Sequence, residues 1–156
     1  MEGSEYSAWY SFRSEWGTYR PHRSESSDRS HPQWKYDVFL SFRGDDTRTG
    51  FTDHLYEKLA LRGIRTFRDD PDIEKGSTIS AELLAAIKDS RFAIIVLSPN
   101  YASSTWCLDE LDRITQSIDI YRRFPVFYHV GPSDVRRQTG PFAEAFTKFE
   151  DLGIPG

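Results

Sequence analysis

A short polar segment in the first half of the chain has the composition of an anion-binding loop. Residues 43–48 read Arg-Gly-Asp-Asp-Thr-Arg, which places two arginines around a glycine and residues that commonly begin a helix. Guanidinium groups, and the backbone N–H groups at a helix start, are frequent partners of phosphate in proteins. The segment therefore predicts a loop that could hold a phosphate or a similar anion.

A second polar segment, residues 98–106, is rich in hydroxyl groups and ends in a tryptophan. The ring of Trp106 could stack on a flat ligand ring. If the two segments meet in the fold, together they would suit a ligand of the size of a nucleotide. A second interpretation of Trp106 is that it packs in the core at the start of a helix.

One carboxylate, Glu110, stands just beyond the second polar segment on a predicted helix. At about 100° per residue, the apolar stripe of that helix leaves Glu110 at its border and Asp109 nearly opposite, facing water. Glu110 could therefore point along the wall of a cleft. An alternative is that Glu110 is a first-turn carboxylate favoured by the helix dipole. The apolar stripe consists of Leu108, Leu111, Ile114 and Ile118.

Short apolar runs alternate with helical patterns along the rest of the chain. Strands are predicted at 37–42, 64–67, 92–97 and 125–130, and helices at 51–60, 79–87 and 108–118. Such alternation implies an α/β fold of the doubly wound, flavodoxin-like class, with a parallel sheet in the order 2-1-3-4 and helices on both faces. Ligands of these sheets lie between the carboxyl ends of strands one and three, where the two polar segments would meet.

The two ends of the chain carry further expectations. Residues 1–37 contain no Val, Leu or Ile, so we expect a disordered arm rich in serine, arginine and aromatic residues over 1–34 and one domain over 35–156. The aromatic residues of the arm could instead dock on the domain or on a partner. Five acidic residues argue against a transit peptide. The last helix and a fifth strand are expected to be missing after Gly156, which would leave strand four as an unguarded sheet edge.

Length, charge and cysteine content exclude several classes of function. The chain has 156 residues, enough for one ordinary domain, and a net charge of −4, so nucleic acid is not expected as the main partner. No apolar run is long enough to span a bilayer. Cys107 is the single cysteine, which excludes an intramolecular disulfide. We expect a cytoplasmic protein, with the nucleus as a second compartment.

The sequence lacks the motifs of several common enzyme classes. It has no glycine-rich dinucleotide or P-loop motif, no zinc-protease motif and no hydrolase elbow. A phosphate-receiver domain would need an aspartate where Ser98 stands, and the one stretch similar to an EF-hand has Ala81 at its twelfth position. We expect no metal site. Two interpretations of Cys107 remain. It could be a nucleophile paired with His54 or His129, or a small buried apolar residue.

Four ordered segments resemble the Toll/interleukin-1 receptor (TIR) domain family, of the type found in plant immune receptors. In chain order they resemble its first motif, its BB loop, its third-helix motif and its fourth-strand segment. These segments are residues 36–48, 67–79, 106–111 and 125–136. The resemblance extends over about residues 35–150.

This resemblance implies an enzyme that cleaves NAD⁺ or NADP⁺ between nicotinamide and ribose, releasing nicotinamide and ADP-ribose or a cyclised variant. Glu110 matches the family's catalytic glutamate. Nicotinamide carries positive charge while bound and leaves as a neutral base, so a carboxylate near the ribose is the main chemical requirement. No further cofactor is implied. The residues implied in substrate binding are Phe42, Arg43, Gly44, Asp45, Asp46, Thr47, Arg48, Gly76, Ser104 and Trp106.

The resemblance also implies that self-association with other TIR domains activates the enzyme in plant innate immune signalling. Asp53 and His54 match a self-association surface where Ser-His is common, and Ala143 matches a second surface where glycine is frequent. The alternative is a non-enzymatic scaffold that signals only through the assembly of TIR domains. Nicotinamide release, followed at increasing protein concentration, would separate these two functions.

Overall fold

Four parallel strands form the centre of the fold in the computed structural model, which describes residues 34–69, 80–140 and 142. The strands are β1 (Tyr36–Ser41), β2 (Thr66–Arg68), β3 (Ser90–Leu97) and β4 (Arg123–Phe127). Their order in the sheet is β2-β1-β3-β4, with parallel pairing throughout. The predicted α/β class and the strand order 2-1-3-4 are confirmed.

The helices of the described part of the chain begin and end at recognisable residues. They are α1 (Gly44–Thr47), α2 (Phe51–Leu61), α3 (Ala81–Lys88), α4 (Thr105–Ser117) and α5 (Pro132–Arg137), with 3₁₀ turns at Tyr101–Ser103 and Ile120–Arg122. Ser80 caps α3 and Ser104 caps α4, each accepting a backbone N–H three residues ahead at 3.2 Å. After α2 the chain turns at Gly63, whose φ of 72° suits glycine. Helices α2, α3 and α4 correspond to the three predicted helices.

Apolar side chains fill both faces of the sheet. Alternate residues of β3 point to opposite faces, so Ile95 and Leu97 belong to the larger core cluster and Val96 to the smaller one. Residues of α3 and α4 complete the larger cluster, and residues of α2 pack against the smaller one. Each fully buried aliphatic side chain contributes about 1.5–3 kcal/mol relative to exposure to water. The prediction that β3 is buried on both faces is confirmed.

The second strand begins later than predicted. It starts at Thr66, whereas the apolar pattern placed its start at Ile64. The reason is that the Ile64 N–H donates to the Leu59 carbonyl at 3.0 Å and so belongs to the closing turn of α2. An apolar pattern alone does not distinguish such a helix-closing residue from the first residue of a strand.

The fourth strand begins earlier than the predicted segment 125–130, because Arg123 serves both β4 and α4. Arg123 is 5% exposed, and its guanidinium donates to the Ile118 carbonyl at 2.7 Å and to the Thr115 carbonyl at 2.6 Å. Carbonyls at a helix end have no partner within the helix. Arg123 therefore closes α4 and starts the strand that follows it, which ends at Phe127.

The predicted N-terminal arm lies outside the described residues apart from Trp34, and so does the chain beyond Phe142. The Trp34 carbonyl accepts a hydrogen bond from Arg65 Nη2 at 3.0 Å, and the Arg122 guanidinium lies 5.2 Å from the centre of its indole ring. In the segments that the structure describes, no helix is both long enough and apolar enough to cross a membrane.

Candidate functional site

The carboxyl ends of β1 and β3 lie side by side, since Ser41 pairs with Ile95 in the parallel ladder. The two polar segments therefore open at the same edge of the sheet, as predicted. Helix α1 lies in the first segment and the 3₁₀ turn Tyr101–Ser103 in the second. In doubly wound sheets this reversal of strand order is the usual position of a ligand cleft.

Asp46 joins the two segments directly. Its Oδ2 accepts hydrogen bonds from Ser98 Oγ at 2.5 Å and from the Asn100 N–H at 2.9 Å, and its Oδ1 accepts one from Asn100 Nδ2 at 3.0 Å. Burial acts to raise the pKa of Asp46, but the hydrogen bonds from Ser98 and Asn100, with the charge of Arg43, bring that pKa below its ordinary value. Asp46 is therefore an ionised carboxylate that protein donors hold in place.

The two arginines of the first segment occupy different surroundings. Arg43 Nη2 lies 3.2 Å from Asp45 Oδ2, in an ion pair whose aspartate is well exposed. The Arg48 guanidinium lies over the Phe42 ring, 5.3 Å from its centre. A Cβ on Gly44 would lie 3.1 Å from Arg48 Nη2, so the glycine allows this close approach. An incoming anion could replace the exposed aspartate at Arg43.

Thr47 and Phe42 lie on the buried side of the first polar segment. Thr47 is buried, and its Oγ1 donates to the Arg43 carbonyl at 3.3 Å and accepts from Thr52 Oγ1 at 2.5 Å. Phe42 is buried in the smaller core cluster. Both residues therefore position the backbone of the loop, and the exposed side of the loop is formed by its charged residues.

A buried network of hydroxyl and thiol groups ties β1 to α4. The Tyr101 hydroxyl lies 2.8 Å from Ser41 Oγ and donates to the Cys107 carbonyl at 3.2 Å. The Cys107 thiol donates to the Phe42 carbonyl at 3.7 Å. Burial is the main cause that raises the pKa of Tyr101 well above its ordinary value, and the nearby Cys107 and Glu110 raise it further. The hydroxyl therefore stays protonated. The packing of Cys107 favours the interpretation of it as a small buried residue over a nucleophile.

Glu110 lies deeper in the fold than its sequence position predicts. Because α4 begins at Thr105, Glu110 is the sixth helical residue and stands in the second turn, so the expectation of a first-turn carboxylate is wrong. Glu110 is 3% exposed, and it is close enough to Tyr101 to affect the ionisation of that hydroxyl. The helix dipole acts mainly within the first turn and does not account for a carboxylate here. A buried carboxylate beside the expected position of a ligand is a candidate for a chemical role.

Trp106 is held by a residue that the sequence reasoning did not single out as part of the site. Its Nε1–H donates to Asp69 Oδ2 at 3.0 Å, and the indole belongs to the larger core cluster. Core packing at the start of a helix therefore describes the surroundings of Trp106. Ser104, which precedes it, is buried and uses its hydroxyl to cap α4.

Asp112 is a second buried carboxylate of α4. The sequence pattern was not interpreted as burying it. It is 5% exposed, Gln116 Nε2 donates to its Oδ2 at 3.1 Å, and burial raises its pKa. A signal for this burial was available in the sequence. Asp112 follows Leu108 by one helical turn, which places it beside Leu108, at the border of the apolar stripe opposite to the border at Glu110.

Two predicted site residues, Gly76 and Ala143, lie outside the described residues. Within the described part of the chain, no group of three or more His, Cys, Asp or Glu side chains lies close enough together to hold a metal ion. The described part of the candidate site consists of residues of the two polar segments and of α4.

Comparison with known proteins shows the family of the chain. The sequence model of the TIR domain matches residues 35–153. The chain belongs to the TIR domain family. It is 56% identical over 131 residues to disease resistance protein RPV1 of Vitis rotundifolia, and 52% identical over 132 residues to TMV resistance protein N of Nicotiana glutinosa. These matches cover 82% and 81% of the chain but only 9% and 12% of the relatives, so the chain spans about a tenth of their length.

The TIR domain is also similar to a solved structure, that of the TIR domains of the activated Roq1 resistosome that directly recognizes the pathogen effector XopQ. The TM-score is 0.69 at 52% sequence identity, and the match covers 76% of this chain and 73% of that chain. The similarity confirms the family resemblance at the level of the fold as well as the sequence.

The predicted self-association residues of this TIR domain differ in their freedom to contact a partner. Asp53 Oδ1 accepts a hydrogen bond from Arg68 Nη1 at 2.8 Å, which ties α2 to β2. The same guanidinium lies 4.3 Å from the centre of the Tyr56 ring. His54 is exposed. The Asp53 side chain is 50% exposed but paired with Arg68, whereas His54 is the more exposed of the two residues.

Proposed function

We propose that this TIR domain cleaves NAD⁺ or NADP⁺ at the N-glycosidic bond of nicotinamide, with Glu110 as the catalytic carboxylate. The observation that supports the proposal is the burial of Glu110 on α4, near the Tyr101 hydroxyl that reaches Ser41 at the end of β1. This edge of the sheet is where doubly wound folds bind their ligands. A carboxylate in such a position is expected to stabilise positive charge that develops on a bound ribose.

The chemistry of the bond explains why one carboxylate would be sufficient. When the bond between ribose C1′ and nicotinamide breaks, its electron pair leaves with nicotinamide, which departs as a neutral base. Positive charge then develops on the ribose, and a carboxylate screened from water stabilises that charge more strongly than a solvated one would. Water adds to C1′ and loses a proton to give ADP-ribose, or a nucleophile within the same dinucleotide adds to give a cyclised product.

Arg43 is proposed to hold the diphosphate of the dinucleotide. Guanidinium groups bind phosphate oxygens with two parallel hydrogen bonds. The present partner of Arg43 is Asp45, whose side chain is 83% exposed. Because an exposed ion pair contributes only about 0–1 kcal/mol, exchanging that aspartate for a phosphate has a small cost.

We infer that the domain acts in plant innate immune signalling and that assembly with other TIR domains activates it. This inference is supported by the names of the relatives, which are plant disease resistance proteins, and by the similarity to the TIR domains of the Roq1 resistosome. The exposed His54 on α2 is the proposed contact for a neighbouring TIR domain. A cytoplasmic location, with the nucleus as the alternative, suits this role.

One observation favours the non-enzymatic scaffold as a second candidate. The Trp106 indole is buried and hydrogen-bonded to Asp69, so it offers little ring surface on which a nicotinamide or adenine ring could stack. A scaffold would need only the self-association surfaces and not the cleft.

The deciding experiment follows nicotinamide release from NAD⁺ by chromatography. Glu110→Gln removes the proposed catalytic charge, and Asp109→Asn removes a charge from the adjacent, partly exposed position of the same helix. We expect release by the wild type and by Asp109→Asn, and none by a folded Glu110→Gln protein. Wild-type turnover in Glu110→Gln would refute a catalytic role for Glu110. An assembled wild type without any turnover would support the scaffold.

A further inference from the structure

We propose that Asp46 is a positioning residue, which holds the loop after β3 against α1 and so keeps the two sides of the cleft at a fixed separation. The inference rests on the proposed function, because it assigns a task within the same cleft. It replaces the predicted role of Asp46 as a direct contact of the substrate.

The carboxylate of Asp46 is already occupied. A carboxylate offers about four lone-pair sites, and hydrogen bonds from Ser98 Oγ, the Asn100 N–H and Asn100 Nδ2 fill three of them. Ser98 is fully buried and its hydroxyl needs a partner inside the protein, which Asp46 supplies. Little of the carboxylate is left for a substrate hydroxyl.

On one side, Asp46 is rigidly connected to the turn that carries Arg43. The Asp46 N–H donates to the Arg43 carbonyl at 3.1 Å, and Thr47 Oγ1 donates to the same carbonyl at 3.3 Å. Arg43 is the residue that directly precedes the four-residue helix α1, and these two hydrogen bonds fix its carbonyl to the helix. A shift of Asp46 would therefore displace the guanidinium proposed to hold the diphosphate.

On the other side, the partners of Asp46 lead to the helix that carries Glu110. Ser103 Oγ donates to the Asn100 carbonyl at 2.9 Å and closes the 3₁₀ turn that begins there. The next residue, Ser104, caps α4. The three hydrogen bonds of Asp46 thus connect the turn after β1 to the start of the helix that carries the proposed catalytic carboxylate.

The negative charge of Asp46 matters for this connection. Hydrogen bonds to an ionised acceptor are roughly twice as strong as bonds between neutral groups. An amide at this position would keep the size of the side chain but would turn an N–H₂ group toward one of the donors, Ser98 or Asn100. Asp46→Asn is therefore a suitable variant, since it weakens the connection without leaving a cavity.

A double-mutant cycle measures whether Asp46 acts through the loop. We expect Asp46→Asn to lower kcat/KM for NAD⁺ by about 10- to 100-fold, mainly through a higher KM, because a displacement of about 1 Å at a binding group has effects of that size. Asn100→Ala removes an exposed partner, and the double variant is expected to lose no more than Asp46→Asn alone. Losses that multiply would overturn the proposal and indicate a direct contact with substrate. Glu57→Gln, which removes an exposed negative charge from α2, is the matched control.

Amide hydrogen exchange tests the same connection without catalysis. The Asn100 N–H donates to Asp46, so in Asp46→Asn it is expected to exchange about tenfold faster than in the wild type and in Glu57→Gln. Unchanged exchange would overturn the proposal even in an active enzyme. Faster exchange in a protein that releases no nicotinamide would support the connection and refute only the proposed reaction. If Asp46→Asn does not fold, Asn100→Ala provides the test, with faster exchange expected at Tyr101.

Discussion

The indole N–H of Trp106 donates a hydrogen bond to Asp69 Oδ2 at 3.0 Å, and both residues are 8% exposed. The bond joins the first turn of α4 to the residue that follows β2. A buried tryptophan N–H requires an acceptor, and a buried carboxylate requires donors. This pair therefore sets the position of the start of α4, and with it the position of Glu110, relative to the sheet edge.

Replacement of Asp69 tests the strength of this pair. Asp69→Ala leaves the Trp106 N–H buried without its acceptor, so we expect a loss of about 1–3 kcal/mol in the free energy of unfolding. Asp69→Asn keeps an acceptor oxygen and should lose less. Urea unfolding followed by tryptophan fluorescence measures both values. Wild-type stability in Asp69→Ala would show that the hydrogen bond contributes nothing.

The buried carboxylate of Asp112 predicts a pH-dependent change in stability. Burial raises its pKa, so its folded form binds a proton more readily than the unfolded chain does, and stability falls as the pH rises through the folded pKa. Above the folded pKa the residue is a buried charge, and Asp112→Asn is expected to raise the melting temperature there. The gain should shrink as the pH falls through the folded pKa, because the carboxyl of the wild type then becomes neutral as well. A gain that is the same at pH 7 and pH 4 would contradict this origin.

Local apolar patterns were sufficient to predict the elements that carry the site. Leu108, Leu111 and Ile114 recur at helical spacing and are buried in α4, and the run 92–97 lies within β3. Such patterns arise because one face, or both faces, of an element packs against a core. They contain no information on which polar groups meet across the fold.

The polar contacts of the site were missed for this reason. Asp46 and Ser98 are separated by 52 positions, and Trp106 and Asp69 by 37. The depth of Glu110 was predicted wrongly for a different reason, because its helix begins three residues before the predicted start at 108. A serine before a helical pattern indicates a cap, and Ser104 takes that position, which moves Glu110 from the first turn to the second.

Arg123 offers a test of how α4 is closed. Its guanidinium bonds the Ile118 and Thr115 carbonyls, so Arg123→Met leaves helix-end carbonyls without a donor and should cost on the order of 3 kcal/mol of stability. The neighbouring Arg122 makes its backbone contact at the surface. Arg122→Met is therefore the matched control, with an expected loss under about 1 kcal/mol. Similar losses in the two variants, measured by urea unfolding, would contradict the proposed closing role.

Activation by assembly makes a prediction about His54. If a neighbouring TIR domain contacts this exposed side chain, specific NAD⁺ cleavage should rise with protein concentration, and His54→Asn should shift that rise to higher concentration. His129 provides the matched control, because it is also exposed and asparagine tolerates its φ of 54°. His129→Asn should behave as the wild type. Light scattering on the same samples reports assembly independently of turnover. A monomer whose specific activity stays constant over a hundredfold dilution would exclude activation by self-association and would assign the catalytic cleft to the single domain.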